Sequence, residues 1–290
     1  MSGDLPADVG GLTAALDRTG YLADEPLATA LFLATAMPAP ILLEGEPGVG
    51  KTEAAKALAT ALDTPLVRLQ CYEGLTVSEA LYEWNYPRQL LAIRLAEASG
   101  SAVASADLFT PEFLLRRPLL TALEHPGPRP AVLLLDEVDR ADDEFEAFLL
   151  ELLAEATVTI PELGTRRAVL PPVVVLTSNR TRDLHDALKR RCLYHWIPYP
   201  AADRVAAIVR RRVAGIGDPL ADQVAAAVHK LRGLDLYKPP GVAEAVDWAT
   251  ALRVLGIGAL TPAAVAQTLS AVVKYDEDLA TVRGSGLFDD

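Results

Sequence analysis

The octapeptide Gly45-Glu46-Pro47-Gly48-Val49-Gly50-Lys51-Thr52 fits the pattern GxxxxGK followed by Ser or Thr, and it comes directly after the apolar run 41–43. Glycines let such a backbone curl so that successive N–H groups face one anion, and the following helix adds the positive end of its dipole. In this pattern Lys51 meets the β and γ phosphates of a nucleotide, and Thr52 places its hydroxyl on Mg²⁺. The stretch therefore predicts a phosphate-binding loop between a buried strand and an Ala-rich helix over 52–62.

Composition limits the class of protein. The 290 residues are 51% hydrophobic and 23% charged, enough for one large or two modest domains. The net charge of −12 disfavours nucleic acid and anionic membranes as partners. Pro38 and Pro40 interrupt the apolar stretch 27–43, so we expect no membrane span. Cys71 and Cys192 have no metal-ligand spacing, which favours a reduced, cytoplasmic setting.

A second apolar run, over 131–135, ends in the acids Asp136 and Glu137. A nucleotide hydrolase needs such acids opposite its lysine and threonine. Asp136 would bind Mg²⁺ through water, and Glu137 would act as general base on the attacking water. The alternative is that both acids are solvated and cap the next helix.

The segment after these acids carries a helical apolar stripe and then a hairpin. The helix is expected to bury the stripe and to point its acids outward; the stripe consists of Phe145, Phe148, Leu149, Leu152 and Leu153. Residues 157–160 and 165–169 are predicted to form two paired strands. A further apolar strand over 172–177 brings Asn179 to the sheet edge of Asp136, where its amide would orient water or the γ-phosphate. Asn179 is otherwise a turn former.

Lys189-Arg190-Arg191 stands at the end of the next predicted helix, just before a strand over 193–197. Interaction with the helix dipole is the simpler explanation for this basic cluster. The functional alternative is an arginine finger, in which Arg190 or Arg191 reaches the γ-phosphate bound by a neighbouring subunit.

Two other features allow more than one interpretation. The break Gly20-Tyr21-Leu22 between two Ala- and Leu-rich helices is either an adenine slot or a plain turn. The aromatic cluster Tyr82, Trp84 and Tyr86 is either packing or a loop that contacts a client protein.

Helical patterns alone follow residue 200. The predicted fold class is α/β, a P-loop NTPase with a three-layer αβα core and a parallel five-stranded sheet, plus a small all-helical lid domain. We place the core at 1–199, with insertions at about 72–95 and 157–169, and the helical domain at 200–290.

The order of these motifs resembles the AAA+ ATPases, and within them the MoxR group. Stretches such as ALYEWNYPRQLLAIRLAEA, TIPELGTRRA and TSNRTRDLHDALKRRCLYHW resemble its CoxD-like branch. The resemblance implies that 45–52 is Walker A, that Asp136 and Glu137 are Walker B, that Asn179 is sensor 1, and that Arg190 or Arg191 is the finger. One element departs from the pattern. The segment 238–245 lacks the sensor 2 arginine, so either Lys238 replaces it or another group reads the nucleotide.

The same resemblance implies ATP and Mg²⁺ as ligands and a ring of subunits, often hexameric. It also implies a partner with a von Willebrand factor A domain and a client metalloenzyme, of the molybdenum type that includes carbon monoxide dehydrogenase. Two rival functions remain, a nucleotide-gated scaffold with little turnover and a DNA-processing ATPase. The pI of about 4.9 weakens the second.

Overall fold

The computed structural model describes residues 6–100 and 104–288. The predicted domains 1–199 and 200–290 also contain residues 1–5, 101–103 and 289–290, which lie outside the described residues. The α-helices of the described ranges are α1 (Val9–Arg18), α2 (Glu25–Ala36), α3 (Lys51–Ala61), α4 (Val77–Ala80), α5 (Tyr86–Ala98), α6 (Ser105–Leu108), α7 (Pro118–Leu123), α8 (Asp143–Glu155), α9 (Asp186–Lys189), α10 (Ala202–Arg212), α11 (Asp218–Arg232), α12 (Val242–Val254), α13 (Pro262–Val272) and α14 (Asp276–Gly284).

The strands of the same ranges form one large sheet and two small ones. They are β1 (Ile41–Glu44), β2 (Leu66–Gln70), β3 (Tyr82–Trp84), β4 (Leu114–Arg116), β5 (Val132–Asp136), β6 (Thr157–Ile160), β7 (Gly164–Arg167), β8 (Val173–Ser178) and β9 (Leu193–Trp196). The large sheet has the order β2-β5-β8-β1-β9. This confirms the predicted parallel five-stranded sheet with flanking helices.

The central strands are buried along their whole length. Every residue of β1, β5 and β8 is buried, which explains why each strand begins with a continuous apolar run and not an alternating pattern. The parallel register pairs Glu44 with Ser178 and Gln70 with Asp136. Because parallel strands end at one edge, the last residues of β1, β5 and β8 lie at the same side of the sheet.

The predicted hairpin is present, since β6 pairs antiparallel with β7. In the insertion at about 72–95, β3 pairs with β4, which lies outside that range. The aromatic cluster there divides between two environments. Trp84 is buried edge-on between Tyr82 and Phe109, whereas Tyr86 is 62% exposed at the start of α5.

The contacts divide the chain into two compact units. The first contains the sheet and runs up to Ala15 and over Asp24–Glu44 and Ala55–His195. The second contains Leu16–Ala23, the phosphate-binding loop with Gly45–Ala54, and the chain from Trp196 onward. Its core is built around Trp248, whose indole Nε1 donates to Thr268 Oγ1 at 2.8 Å. The predicted boundary at residue 199 stays a prediction.

No helix of the described residues is both long and apolar enough to cross a membrane.

Candidate functional site

The phosphate-binding loop follows β1 and ends where α3 begins at Lys51. Gly48 and Gly50 have φ angles of 78° and 99°, in the left-handed region that favours glycine. A Cβ atom on Gly48 would also lie 3.3 Å from Gly241 Cα. The loop therefore has the curled backbone that the glycine spacing predicts.

Lys51 is 6% exposed, and its side chain bonds back to the first residues of the loop. Its Nζ donates to the carbonyl oxygens of Gly45 and Glu46, both at 2.8 Å. The ammonium group is thus already held inside the loop, where a phosphate group can compete with the two carbonyls for it. Thr52 follows as the second residue of α3 and is half-buried.

The first turn of α12 forms backbone hydrogen bonds with the same loop. Gly48 O accepts hydrogen bonds from the N–H groups of Val242 and Ala243, at 3.1 and 3.3 Å. These two residues form the first turn of α12, so the backbone of the loop satisfies N–H groups that a helix start leaves unpaired.

The break at Gly20-Tyr21-Leu22 lies in the same unit as the loop. A Cβ on Gly50 would lie 3.8 Å from the Tyr21 ring, and Arg204 on α10 donates to Leu22 O at 2.7 Å. The structure thus brings together the loop and the segment considered as an adenine slot.

Asp136 ends β5 in the first unit and is 2% exposed. Its Oδ1 accepts from Thr177 Oγ1 at 2.6 Å, and its Oδ2 accepts from Arg68 Nε and Nη2 at 2.9 and 2.6 Å. Both partners come from neighbouring strands, Arg68 from β2 and Thr177 from β8. The buried carboxylate is therefore fixed in position and paired.

Glu137 adopts an unusual backbone conformation, with φ 56° and ψ 50°. Its N–H donates to Thr177 Oγ1 at 2.9 Å, so one hydroxyl serves both acids. Its Oε2 accepts from Gln70 Nε2 at 3.1 Å and from Arg140 Nη1 at 3.2 Å. Left-handed non-glycine residues cost about 1–3 kcal/mol and cluster at functional sites.

Asn179 follows β8 as predicted, and its position depends on an acid that the sequence analysis missed. Asp139 is 1% exposed, and its Oδ2 accepts from the N–H groups of Asn179 and Thr181, at 3.2 and 2.8 Å, and from Thr181 Oγ1 at 2.7 Å. Asp139 thus ties the end of β8 to the segment after β5. The signal was present in the sequence, since a third acid follows Asp136 by three residues.

The expectation that all acids of α8 point outward is wrong. Glu146 is 1% exposed, forms an ion pair with Arg182, and accepts from the His185 N–H at 2.9 Å. A buried carboxylate is tolerated because these partners compensate for its lost hydration. The pair fixes the segment that leads to Arg190 and Arg191.

Arg190 and Arg191 follow α9 and are both exposed. Arg191 Nη1 lies 3.5 Å from Leu150 O, a long contact. Helix α9 has only four residues, so its dipole is small and interaction with it is a weak explanation for two adjacent arginines. Lys238, the candidate replacement for the missing arginine, has its Nζ 5.9 Å from the centre of the Tyr275 ring.

The two cysteines are unsuited to nucleophilic chemistry. Burial, together with the nearby carboxylates of Asp136, Asp139 and Glu137, raises the pKa of Cys71 to about 12. Burial also raises the pKa of Cys192 to about 12. Both thiols are neutral at physiological pH.

A family model for the AAA domain of the dynein-related subfamily matches residues 40–192, just over half of the chain. The protein belongs to this AAA family. The match contains the phosphate-binding loop, both acids at the end of β5, Asn179 and the arginine pair. A comparison with curated proteins finds no match.

Solved structures that resemble this AAA protein include RuvB from Thermotoga maritima. A substituted form of RuvB has 18% identity and a TM-score of 0.49, over 91% of this chain and 70% of that chain. The RuvB Holliday junction branch migration motor has 17% identity and a TM-score of 0.48, over 92% of this chain and 72% of that chain.

Each of the two residues considered for Mg²⁺, Thr52 in the second unit and Asp136 in the first, has donor chemistry that suits the ion. The Thr52 hydroxyl and the Asp136 carboxylate are hard oxygen donors, which Mg²⁺ prefers. Mg²⁺ commonly keeps several waters, and the existing bonds of Asp136 to Thr177 and Arg68 suit a contact through water better than direct ligation. Among the described residues, no group of three or more His, Cys, Asp or Glu side chains is arranged to hold a metal ion.

Proposed function

We propose that this AAA protein hydrolyses ATP to ADP and phosphate, with Glu137 as general base. The observation that carries the proposal is the hydrogen-bonding arrangement of Glu137. Its backbone is strained, its N–H shares the Thr177 hydroxyl with Asp136, and Gln70 aims at its carboxylate. A protein that only binds nucleotide has no need for this second acid, which is held by hydrogen bonds to its backbone and its carboxylate.

The other residues have complementary roles in this proposal. The loop 45–52 binds the phosphates through its N–H groups and Lys51. Thr52 and Asp136 would hold Mg²⁺, and the ion would supply positive charge next to the phosphate oxygens. Glu137 takes a proton from the attacking water, and Asn179 orients that water or the γ-phosphate.

We further propose a biological role of the MoxR type, as a chaperone that remodels or activates a partner protein. The supporting features are the motif order and the CoxD-like stretches of the sequence. The proposal includes a cytoplasmic homo-oligomeric ring of six subunits, a partner with a von Willebrand factor A domain, and a molybdenum-type client metalloenzyme. Nucleic acid is a disfavoured partner because the net charge is −12.

The variant Glu137→Gln is expected to bind ATP with wild-type affinity and to hydrolyse it at least about a hundredfold more slowly, because glutamine keeps the side-chain shape but accepts no proton. Steady-state phosphate release and equilibrium binding of a fluorescent ATP analogue measure the two properties separately. Glu144→Gln is the matched control, since Glu144 is exposed on α8.

Unchanged turnover by Glu137→Gln would place the general base elsewhere. A wild-type protein that binds ATP but hardly hydrolyses it, even when assembled, would favour the nucleotide-gated scaffold.

A further inference from the structure

Arg232, the last residue of α11, is directed at the phosphate-binding loop within the second unit. Its side chain is only 16% exposed and forms an ion pair with the Glu46 carboxylate. A second nitrogen, Nη1, donates to Pro240 O at 2.9 Å. The guanidinium group therefore bridges the loop and the segment that precedes α12.

Tyr199 completes the environment of Arg232. The guanidinium carbon lies 3.8 Å from the centre of the Tyr199 ring, within the range of a cation–π contact. The Tyr199 hydroxyl is buried and has no hydrogen-bond partner among the described residues, and burial raises its pKa to about 12. The phenol is therefore neutral, and the carboxylate in direct contact with Arg232 is that of Glu46.

Glu46 is held from two directions. Its carbonyl oxygen accepts from Lys51 Nζ at 2.8 Å, and its carboxylate pairs with Arg232. A phosphate that attracts Lys51 would remove the first contact and leave the second. Glu46 also brings a negative charge into a loop that has to bind a highly negative ligand, and an opposite charge in contact with it cancels most of that repulsion.

Building on the proposed ATP site, we infer that Arg232 is a positioning residue for the phosphate-binding loop. It neutralises Glu46 and keeps that end of the loop in place while Lys51 changes partners from loop carbonyls to phosphates. It acts through Glu46 and not by contact with the nucleotide.

The test is a double-mutant cycle on purified full-length protein, read by equilibrium binding of fluorescent ATP and ADP analogues. Arg232→Met keeps most of the side-chain volume and is expected to weaken ATP binding about tenfold or more. Glu46→Gln alone removes the charge that Arg232 neutralises, and its measured affinity is the reference for the double variant. The double variant Arg232→Met/Glu46→Gln should recover affinity to within about threefold of Glu46→Gln, since neither charge then remains.

Two further measurements distinguish an affinity loss caused by the missing charge from one caused by a disturbed structure. The loss in Arg232→Met should be larger for ATP than for ADP, which carries one negative charge fewer, and it should shrink as salt is added. Arg232→Lys, which keeps the charge, should retain most of the affinity. Arg210→Met is the matched control, because Arg210 lies in the same unit and pairs with Asp218 and Asp222.

If Arg232→Met and Arg232→Met/Glu46→Gln bind equally weakly, Arg232 has only a structural role and the inference is overturned. Wild-type affinity in a folded Arg232→Met protein overturns it as well, while the proposed function stands. A wild-type protein that binds no ATP overturns both.

Discussion

Replacing Lys51 with alanine is expected to weaken ATP binding about a thousandfold. In the structure the ammonium group is buried in the loop and bonded to two carbonyl oxygens. In the proposed complex it meets the β and γ phosphates. Two charge-assisted hydrogen bonds of about 2 kcal/mol each correspond to about three orders of magnitude in the dissociation constant. Isothermal titration of ATP into the purified variant measures the loss.

Lys56→Ala is the matched control for this experiment. Lys56 lies on the same helix α3 but is exposed, so its replacement should leave ATP affinity unchanged. The thermal unfolding midpoint shows whether each variant is folded. ATP affinity at the wild-type level in folded Lys51→Ala would remove the phosphate-binding assignment of the loop.

Replacing Arg191 with alanine is expected to leave ATP binding intact and to reduce hydrolysis about a thousandfold. The reason is the proposed ring, in which Arg191 would offset charge on the γ-phosphate bound by the neighbouring subunit. We choose Arg191 over Arg190 because it matches the arginine of the MoxR-type pattern before the last strand of the sheet. Phosphate release by each single variant, with Arg190→Ala measured in parallel, tests that choice.

An arginine finger acts across an interface, so two inactive variants should complement each other. A mixture of Arg191→Ala and Glu137→Gln subunits contains interfaces at which an intact Glu137 meets an intact Arg191. Such interfaces should recover part of the wild-type turnover, measured after subunit exchange has been verified by fluorescence energy transfer.

The complementation experiment can also show that Arg190 and Arg191 are not arginine fingers. If exchanged mixtures recover no hydrolysis and Arg191→Ala alone turns over ATP normally, the arginines only terminate α9. The nucleotide-gated scaffold would then be the better interpretation.

Sequence reasoning succeeded where the signal was local. The glycines and Lys51 follow a fixed spacing within eight residues, and β1, β5 and β8 each begin with an uninterrupted apolar run, so the loop and the sheet could be predicted. Fully buried parallel strands have no other common sequence pattern.

The contacts that hold the acids could not be predicted, because they join distant parts of the chain. Nothing in the sequence connects Arg68 with Asp136, and only the register of β2 against β5 brings them together. Arg232 and Glu46 are 186 residues apart. Glu146 was misplaced because helical periodicity describes one element and contains no information about a partner such as Arg182.

The left-handed backbone of Glu137 sets two requirements that no single residue type meets. Glycine would adopt φ 56° without strain, but it carries no carboxylate. A β-branched residue would be more strained than glutamate in this conformation and would also lack the carboxylate. Glutamate supplies the carboxylate and destabilises the fold locally, so under the proposed mechanism folding stability and hydrolysis make opposite demands on this position. If Glu137 is the general base that we propose, selection for a more stable protein would favour replacing it and would thereby remove hydrolysis.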